Sequence, residues 1–406
     1  MMTTARPQIS NRSARALFLE RHGLSGKHDW MAPGGDLMGL VEHLGFVQVD
    51  SINTVERAHH MILSARSKPY RPKQLRRLLE RDRAVFEHWT HDAALIPMQF
   101  YPYWQLRFAR DTERLGERWK KWRGDGFRER FDEVLRHIEE SGPVTARTVG
   151  DGEVRGPSGG WWDWHPSKTA LEFLWRTGRL AVARRDGFVK VFDLAERVIP
   201  ADVLAARPTE EETVDWACRS ALERLGFATS GELAAFWGAV TPQEAKDWCN
   251  ERLGGALIKV DVDSVREGER RTMFAAPSIE ADIAAVAEPP DRLRILSPFD
   301  PLLRDRNRAE RLFGFFYRIE VFVPAERRQY GYYVFPVLEK DRLIGRIDMK
   351  RRPTGDCLEV AAFWPEPGTG MGKRRADRLD AELHRIARFA GCDAVHYRDG
   401  WLREPA

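Results

Sequence analysis

Only four cysteines occur in 406 residues, and their placement excludes most cysteine chemistry. Cys218, Cys249, Cys357 and Cys392 are far apart and form no Cys-x-x-Cys. A zinc knuckle, a dithiol redox pair and a four-cysteine iron–sulfur site are not signalled. Reduced thiols of a cytosolic protein are the expected state. Long apolar runs are missing too: none approaches the about 20 residues that a membrane helix needs. The first residues, Met-Met-Thr-Thr-Ala-Arg-Pro, carry no apolar signal region. A cytoplasmic, nucleoid-associated location is expected. The loop "GDGEVRGPSGG" lacks the Gly-Lys-Ser/Thr ending of a phosphate loop. His59 and His60 are adjacent, about a third of a turn apart on a helix, and make a poor metal pair. No metal and no cofactor are expected.

What is present is a chain that is 43% hydrophobic and 31% charged, long enough for several packed domains. Its 65 basic and 61 acidic residues leave a formal charge of only +4. Arginine is the commoner base and falls in runs, as at Arg304, Arg306, Arg308 and Arg311, and at Lys350, Arg351 and Arg352. Such runs suit phosphate, because a guanidinium forks onto paired oxygens. An arginine-rich codon bias explains them as well.

Periodicity predicts helices over Ile9–His22, Asp36–Leu44 and Val55–Ser67, with a strand at Phe46–Asp50 after Gly45. Pro166–Thr177 reads as a helix, followed by strands Leu180–Arg184 and Phe188–Phe192 around Asp186-Gly187, a hairpin signal. Helix, helix, hairpin is the order of a winged helix. The order recurs from Glu211 to Ala275, where Thr241-Pro242 opens one helix and Leu257–Val262 with Arg271–Ala275 forms the hairpin. From about Asp291, "FYRIEVFV", "QYGYYVFPVL", "RLIGRIDMK" and "CLEVAAFW" read as strands of an antiparallel, barrel-like domain. Asp377–Phe389 reads as a closing helix.

In a strand, alternate side chains face opposite ways. Val47 and Val49 are expected to face a core, and Gln48 and Asp50 to lie side by side on the other face. An amide beside a carboxylate can orient one water and stabilise a developing cation. A half-exposed strand with a polar outer face gives the same pattern.

The segments "FVQVDSI", "EHWTHDAALIP" and "LSPFDPLLRDRNRAERLFGFFYRIEVFVPAERRQYGYYVFPVL", with the tryptophans at 161, 162 and 164, resemble the winged-helix DNA glycosylases of the YcaQ/AlkZ type, which unhook DNA interstrand crosslinks. The resemblance covers nearly the whole chain. It implies an α+β fold of tandem winged-helix units followed by a C-terminal antiparallel β-barrel-like domain. The divisions expected are 1–140, carrying the catalytic strand, then 141–207, 208–290 and 291–406. Gln48-Val49-Asp50 matches the Gln-x-Asp branch of the family's catalytic signature. The resemblance implies hydrolysis of the N-glycosidic bond of N7-alkylguanine, including unhooking of crosslinks, with Asp50 stabilising the oxocarbenium and activating water and Gln48 positioning that water. No lysine adjoins the motif, so a monofunctional enzyme is expected. A crosslinked guanine cannot swing into a closed pocket, so an open cleft is expected.

The expected partner is double-stranded DNA with alkylated or crosslinked guanine, bound by a monomer and not by a membrane. Lys168, Arg184 and Arg185 fall where a winged helix presents its recognition helix and wing. Lys350, Arg351 and Arg352 precede a turn and resemble a basic hairpin that probes a groove. Arg306 belongs to the arginine run. His91, beside Asp92, serves a phosphate, the active site or a local cap. Trp161, Trp162 and Trp164 suggest packing between units. The competing reading is a winged-helix transcription regulator without enzymatic activity, which gives Gln48 and Asp50 no reason to meet a cleft.

Overall fold

Gly45 stops the helix Leu37–Leu44. Its φ of +84° lies where a side chain is disfavoured, and its N–H bonds back to the carbonyls of Val41 and Glu42 at 2.9 and 3.1 Å. The chain thus turns straight into the strand Val47–Gln48. In this computed structural model, residues 6–26, 28–123, 126–149, 165–352 and 354–405 are described. They form a mixed α+β architecture that divides into two compact units. Trp161, Trp162, Trp164 and the loop at 150–160 lie outside the described residues.

The first unit comprises the chain up to Pro72, Leu222–Ser230 and everything from Cys249 onward. It contains a four-stranded sheet ordered Gln8–Ile9, Ile258–Asp263, Arg270–Ala275, Phe227–Ala228. Its second sheet runs Leu293–Ile295, Val334–Glu339, Arg342–Arg351, Cys357–Pro365, Ala394–Tyr397. Bulges at Val337/Leu338 and Asp348/Met349 bend these strands, giving a curled half-barrel rather than a closed barrel. The expectation of an antiparallel sheet also needs correcting. Cys357–Pro365 and Ala394–Tyr397 pair in parallel, because the helix Lys373–Phe389 carries the chain back across the sheet between them. That helix buries Leu379, Leu383 and Ile386 against Phe335, Ile347, Leu358 and Phe363. The segment "FYRIEVFV" is not a strand at all.

The second unit comprises Lys73–Ala221 and Gly231–Trp248. Helices Phe131–Ser141 and Pro166–Arg176 pack on a sheet ordered Val144–Thr145, Val189–Leu194, Leu180–Asp186. Their core joins Val134, Ile138, Leu171, Trp175, Val182 and Phe192. The hairpin forms, with a small shift from expectation. Asp186 pairs with Val189, so the two loop residues are Gly187 and Phe188, at φ +55° and +77°. Two positive φ values match the twist of a tight hairpin. A further hairpin, Val85–Trp89 with Ala93–Pro97, was not foreseen. Beside it Tyr103 stacks on Trp216 with ring centroids 4.3 Å apart.

Candidate active site and DNA-contacting surfaces

The strand that carries Gln48 is covered on both faces. Phe46, Val47, Gln48 and Val49 are all buried, Gln48 to 4% exposure. The expected alternation of a buried and an open face is therefore corrected. The helix Ala58–Arg66, buried along most of its length, packs against this strand. Regular strand structure ends at Gln48, and Asp50 turns away from it. Asp50 is half-buried, and its Oδ1 accepts the N–H of Ile52 at 2.7 Å. This local turn fixes the carboxylate without a cation. Among the described residues no ion pair involves Asp50, and its second oxygen is unengaged.

Tyr333 is the neighbour that sequence reasoning missed. Its side chain is 1% exposed, and its hydroxyl closes no hydrogen bond among the described residues. Burial pushes the phenol above its usual range. Proximity to Ser297 opposes this, and the Asp50 charge reinforces it. The Ser297 hydroxyl accepts from Phe299 N–H at 3.2 Å. The phenol thus lies buried between the Ser297 hydroxyl and the charge of Asp50. No spacing in the chain links residue 333 to residue 50.

Behind this cluster lies a second group with no signal in the sequence. Arg66 and Asp300 are both fully buried and pair in a two-pronged fork at 2.7 and 2.8 Å. Arg66 also donates to the carbonyls of His22 and Ile62 at 2.7 and 2.9 Å. The fork ties the helix behind Asp50 to the "SPFDP" turn. Thr54, just past Asp50, accepts the backbone N–H of Arg351 at 2.7 Å. The basic hairpin is therefore bonded directly to the loop that follows the candidate carboxylate.

The sequence-predicted cations separate into open and engaged groups. Lys350, Arg351 and Arg306 are exposed, and Arg352 is half-buried. Lys350, Arg352 and Arg398 share one carboxylate, Glu359, at 3.7, 3.4 and 2.5 Å. Burial works against ionisation of Glu359, yet Arg398, Lys350 and Arg352 hold its pKa below the ordinary value. Within the arginine run only Arg306 is open. Arg308 is fully buried between the rings of Phe18 and Phe227, and Arg304 lies over Phe46 at 5.1 Å.

In the second unit, His91 is exposed at the turn between Trp89 and Ala93, where Thr90 Oγ1 lies 3.1 Å from its Nδ1. Arg107 holds this turn from below, donating to Thr90 O at 2.8 Å and Trp237 O at 2.9 Å. Lys168 is half-buried in the first turn of its helix. Arg184 is exposed and pairs with Asp186. Arg185 needs correction as a DNA contact. It is turned inward and forks onto Glu87 at 2.6 and 2.7 Å, and it donates to Phe188 O at 2.6 Å. Glu87 is fully buried, and its desolvated charge requires that partner. Lys190 adds to the group, 3.8 Å from Glu87 and 3.4 Å above the Trp175 ring. Burial depresses its pKa to about 8, against the pull of Glu87. Among the described residues no group of histidine, cysteine and acidic side chains could hold a metal ion, and no helix is long and apolar enough to cross a membrane.

The Asp50 carboxylate is thus anchored in a turn, and the hairpin that ends in Arg351 is bonded through its backbone to the loop just past it. The family comparison gives the class of the protein, a DNA glycosylase. A family model described as DNA glycosylase AlkZ-like matches residues 41–389, and the chain belongs to that family. The fold is similar to that of the Streptomyces sahachiroi DNA glycosylase AlkZ, with a TM-score of 0.63 at 18% identity, covering 98% of this chain and 100% of the other.

Proposed function

We propose that this glycosylase hydrolyses the N-glycosidic bond of N7-alkylguanine in duplex DNA, including guanine held in an interstrand crosslink. Alkylation at N7 makes the base cationic, so it leaves neutral while the sugar takes on oxocarbenium character. Asp50 stabilises that cation and takes the proton of the attacking water. The observation that carries this role is its half-buried carboxylate, engaged on one oxygen only and without a counter-cation among the described residues. Gln48 is buried, so in this reading it orients the water from within the wall of the site rather than from an open face. The absence of a lysine beside the motif favours water over a Schiff base, and hence a monofunctional enzyme.

Winged-helix units, in the order expected from the sequence, would present the DNA-contacting side chains. Lys350, Arg351, Arg352 and Arg306 belong to the DNA-facing set near Asp50. His91, Lys168 and Arg184 belong to that of the second unit. The regulator alternative predicts tight binding to one operator and no chemistry. Base release from duplex DNA containing N7-methylguanine, or a nitrogen-mustard crosslink, separates the two. Wild type should release the base, and Asp50→Asn should lose about a hundredfold or more of the rate. An unchanged Asp50→Asn rate removes Asp50 from the chemistry.

A further inference from the structure

We propose that the segment from Gly314 to Tyr333 is a base-stacking site, with Phe322 at its tip inserting against a base left unpaired when the lesion is displaced. The placement beside the chemistry rests on the glycosylase reading of Asp50. Three aromatic residues among those described are strongly exposed: Phe322 at 95%, Phe316 at 60% and Tyr332 at 43%. All three lie in this one segment. Leaving a whole phenylalanine in water forfeits its burial energy, so an unsupported tip would fold back onto the protein.

The segment is held open instead. The Glu320 carboxylate accepts the backbone N–H groups of Gln329, Tyr330 and Gly331 at 2.9, 2.8 and 2.9 Å, clamping the two limbs together. Burial opposes ionisation of Glu320, but these three donors outweigh it and keep its pKa below the ordinary value. Arg328 Nε donates to Val323 O at 2.8 Å, next to the tip. At the base, the buried Arg346 guanidinium lies between the rings of Phe315 and Tyr330 at 4.6 and 4.3 Å and donates to Phe316 O at 3.2 Å. Tyr317 donates its hydroxyl to Val334 O at 2.6 Å. The exposed ring is thus presented on a braced support, which lowers the ordering cost of binding.

The surroundings select the occupant. Arg318 lies over Phe316 at 4.3 Å, Arg328 over Tyr332 at 5.1 Å, and Arg327 is exposed at the turn after Phe322. Of the two acidic groups in the segment, Glu320 is spent on backbone donors and Glu326 is exposed, against the three arginines Arg318, Arg327 and Arg328. Exposed rings interleaved with arginine are the chemistry of a platform for nucleobases on a phosphate chain. The segment is also rooted at the candidate site. Ile319 and Val321 pack on the same core as Ile52, two residues past Asp50, and the segment ends at Tyr333, whose phenol feels the Asp50 charge. A base lifted from its stack leaves a gap that an apolar wedge fills.

The test uses full-length Asp50→Asn protein and a duplex with 2-aminopurine opposite an abasic-site analogue. Phe322→Ala in this background should reduce the change in 2-aminopurine fluorescence and weaken binding by about tenfold. Affinity for undamaged duplex should not change, and Phe322→Trp should restore both signals. Equal fluorescence and affinity with and without the ring would overturn the proposal. So would an equal loss on undamaged duplex, or Phe322-dependent binding to anionic vesicles instead of DNA. Binding is read without chemistry. If wild type released no base while the Phe322 effect held, the glycosylase reading would fail and the stacking site would stand.

Discussion

Two hairpins carry the same basic signature and use it in opposite ways. In the hairpin Leu180–Asp186 and Val189–Leu194, Arg185 and Lys190 turn toward Glu87, a carboxylate with no access to water. Their charge is committed to a carboxylate inside the protein. In the hairpin Arg342–Arg351 and Cys357–Pro365, Lys350, Arg352 and Arg398 gather on Glu359, with Asp348 a further acid near Lys350 and Arg398, while Lys350 and Arg351 stay exposed. A basic residue near a turn is therefore informative about DNA only after the acidic residues that reach it are counted. The first hairpin commits its cations to a buried carboxylate, and the second leaves Lys350 and Arg351 exposed.

The largest expected effect would break the first half of that comparison. Arg185→Ala leaves Glu87 buried without its fork, and should cost about 3–5 kcal/mol of stability in urea denaturation. Duplex affinity of the protein that remains folded should stay level. Retained stability with weakened DNA binding would reverse the assignment. Lys190 gives the next effect. Its folded pKa of about 8 lies below the ordinary value of 10.5, so the unfolded chain binds the extra proton between those pH values. Stability should rise with pH across that window, by up to about 3 kcal/mol, and no such gain is expected below pH 8. Lys190→Met should flatten the rise in denaturation curves taken from pH 7.5 to 10. Last, joint replacement of Lys350, Arg351 and Arg352 by alanine should weaken duplex binding by about tenfold or somewhat more at low salt, and reduce the salt slope by about 2–3. Stability should shift little, which distinguishes this hairpin from the other.

Part of this contrast was legible in the sequence. Arg184 and Arg185 are neighbours in a strand and must face opposite sides, so one of them had to turn inward. The hairpin around Gly187 was readable from its turn residues, and the stop at Gly45 from its helix. The hairpin Val85–Trp89 was not, because its strand buries Glu87 and His88, polar residues that disguise a core-facing run. "FYRIEVFV" shows the opposite failure: its alternation is that of a strand, yet Glu320 captures the backbone donors of the returning limb. At the candidate site, Gln48 and Asp50 were found from their spacing and the family resemblance. The cover over Gln48 was not, since it comes from another element packing onto the strand. Tyr333 and Asp300 reach the site only through folding of distant segments, and local pattern carries no trace of them.

The fork between Arg66 and Asp300 joins residues 234 positions apart. At ordinary elongation rates a nascent chain carries that arginine for roughly 10–50 s before its counter-ion leaves the ribosome. Tyr333 and the strand bonded to Thr54 are translated later still. The surroundings of Asp50 are thus completed near the end of synthesis, so an incomplete chain carries the Gln48–Asp50 motif without its assembled setting.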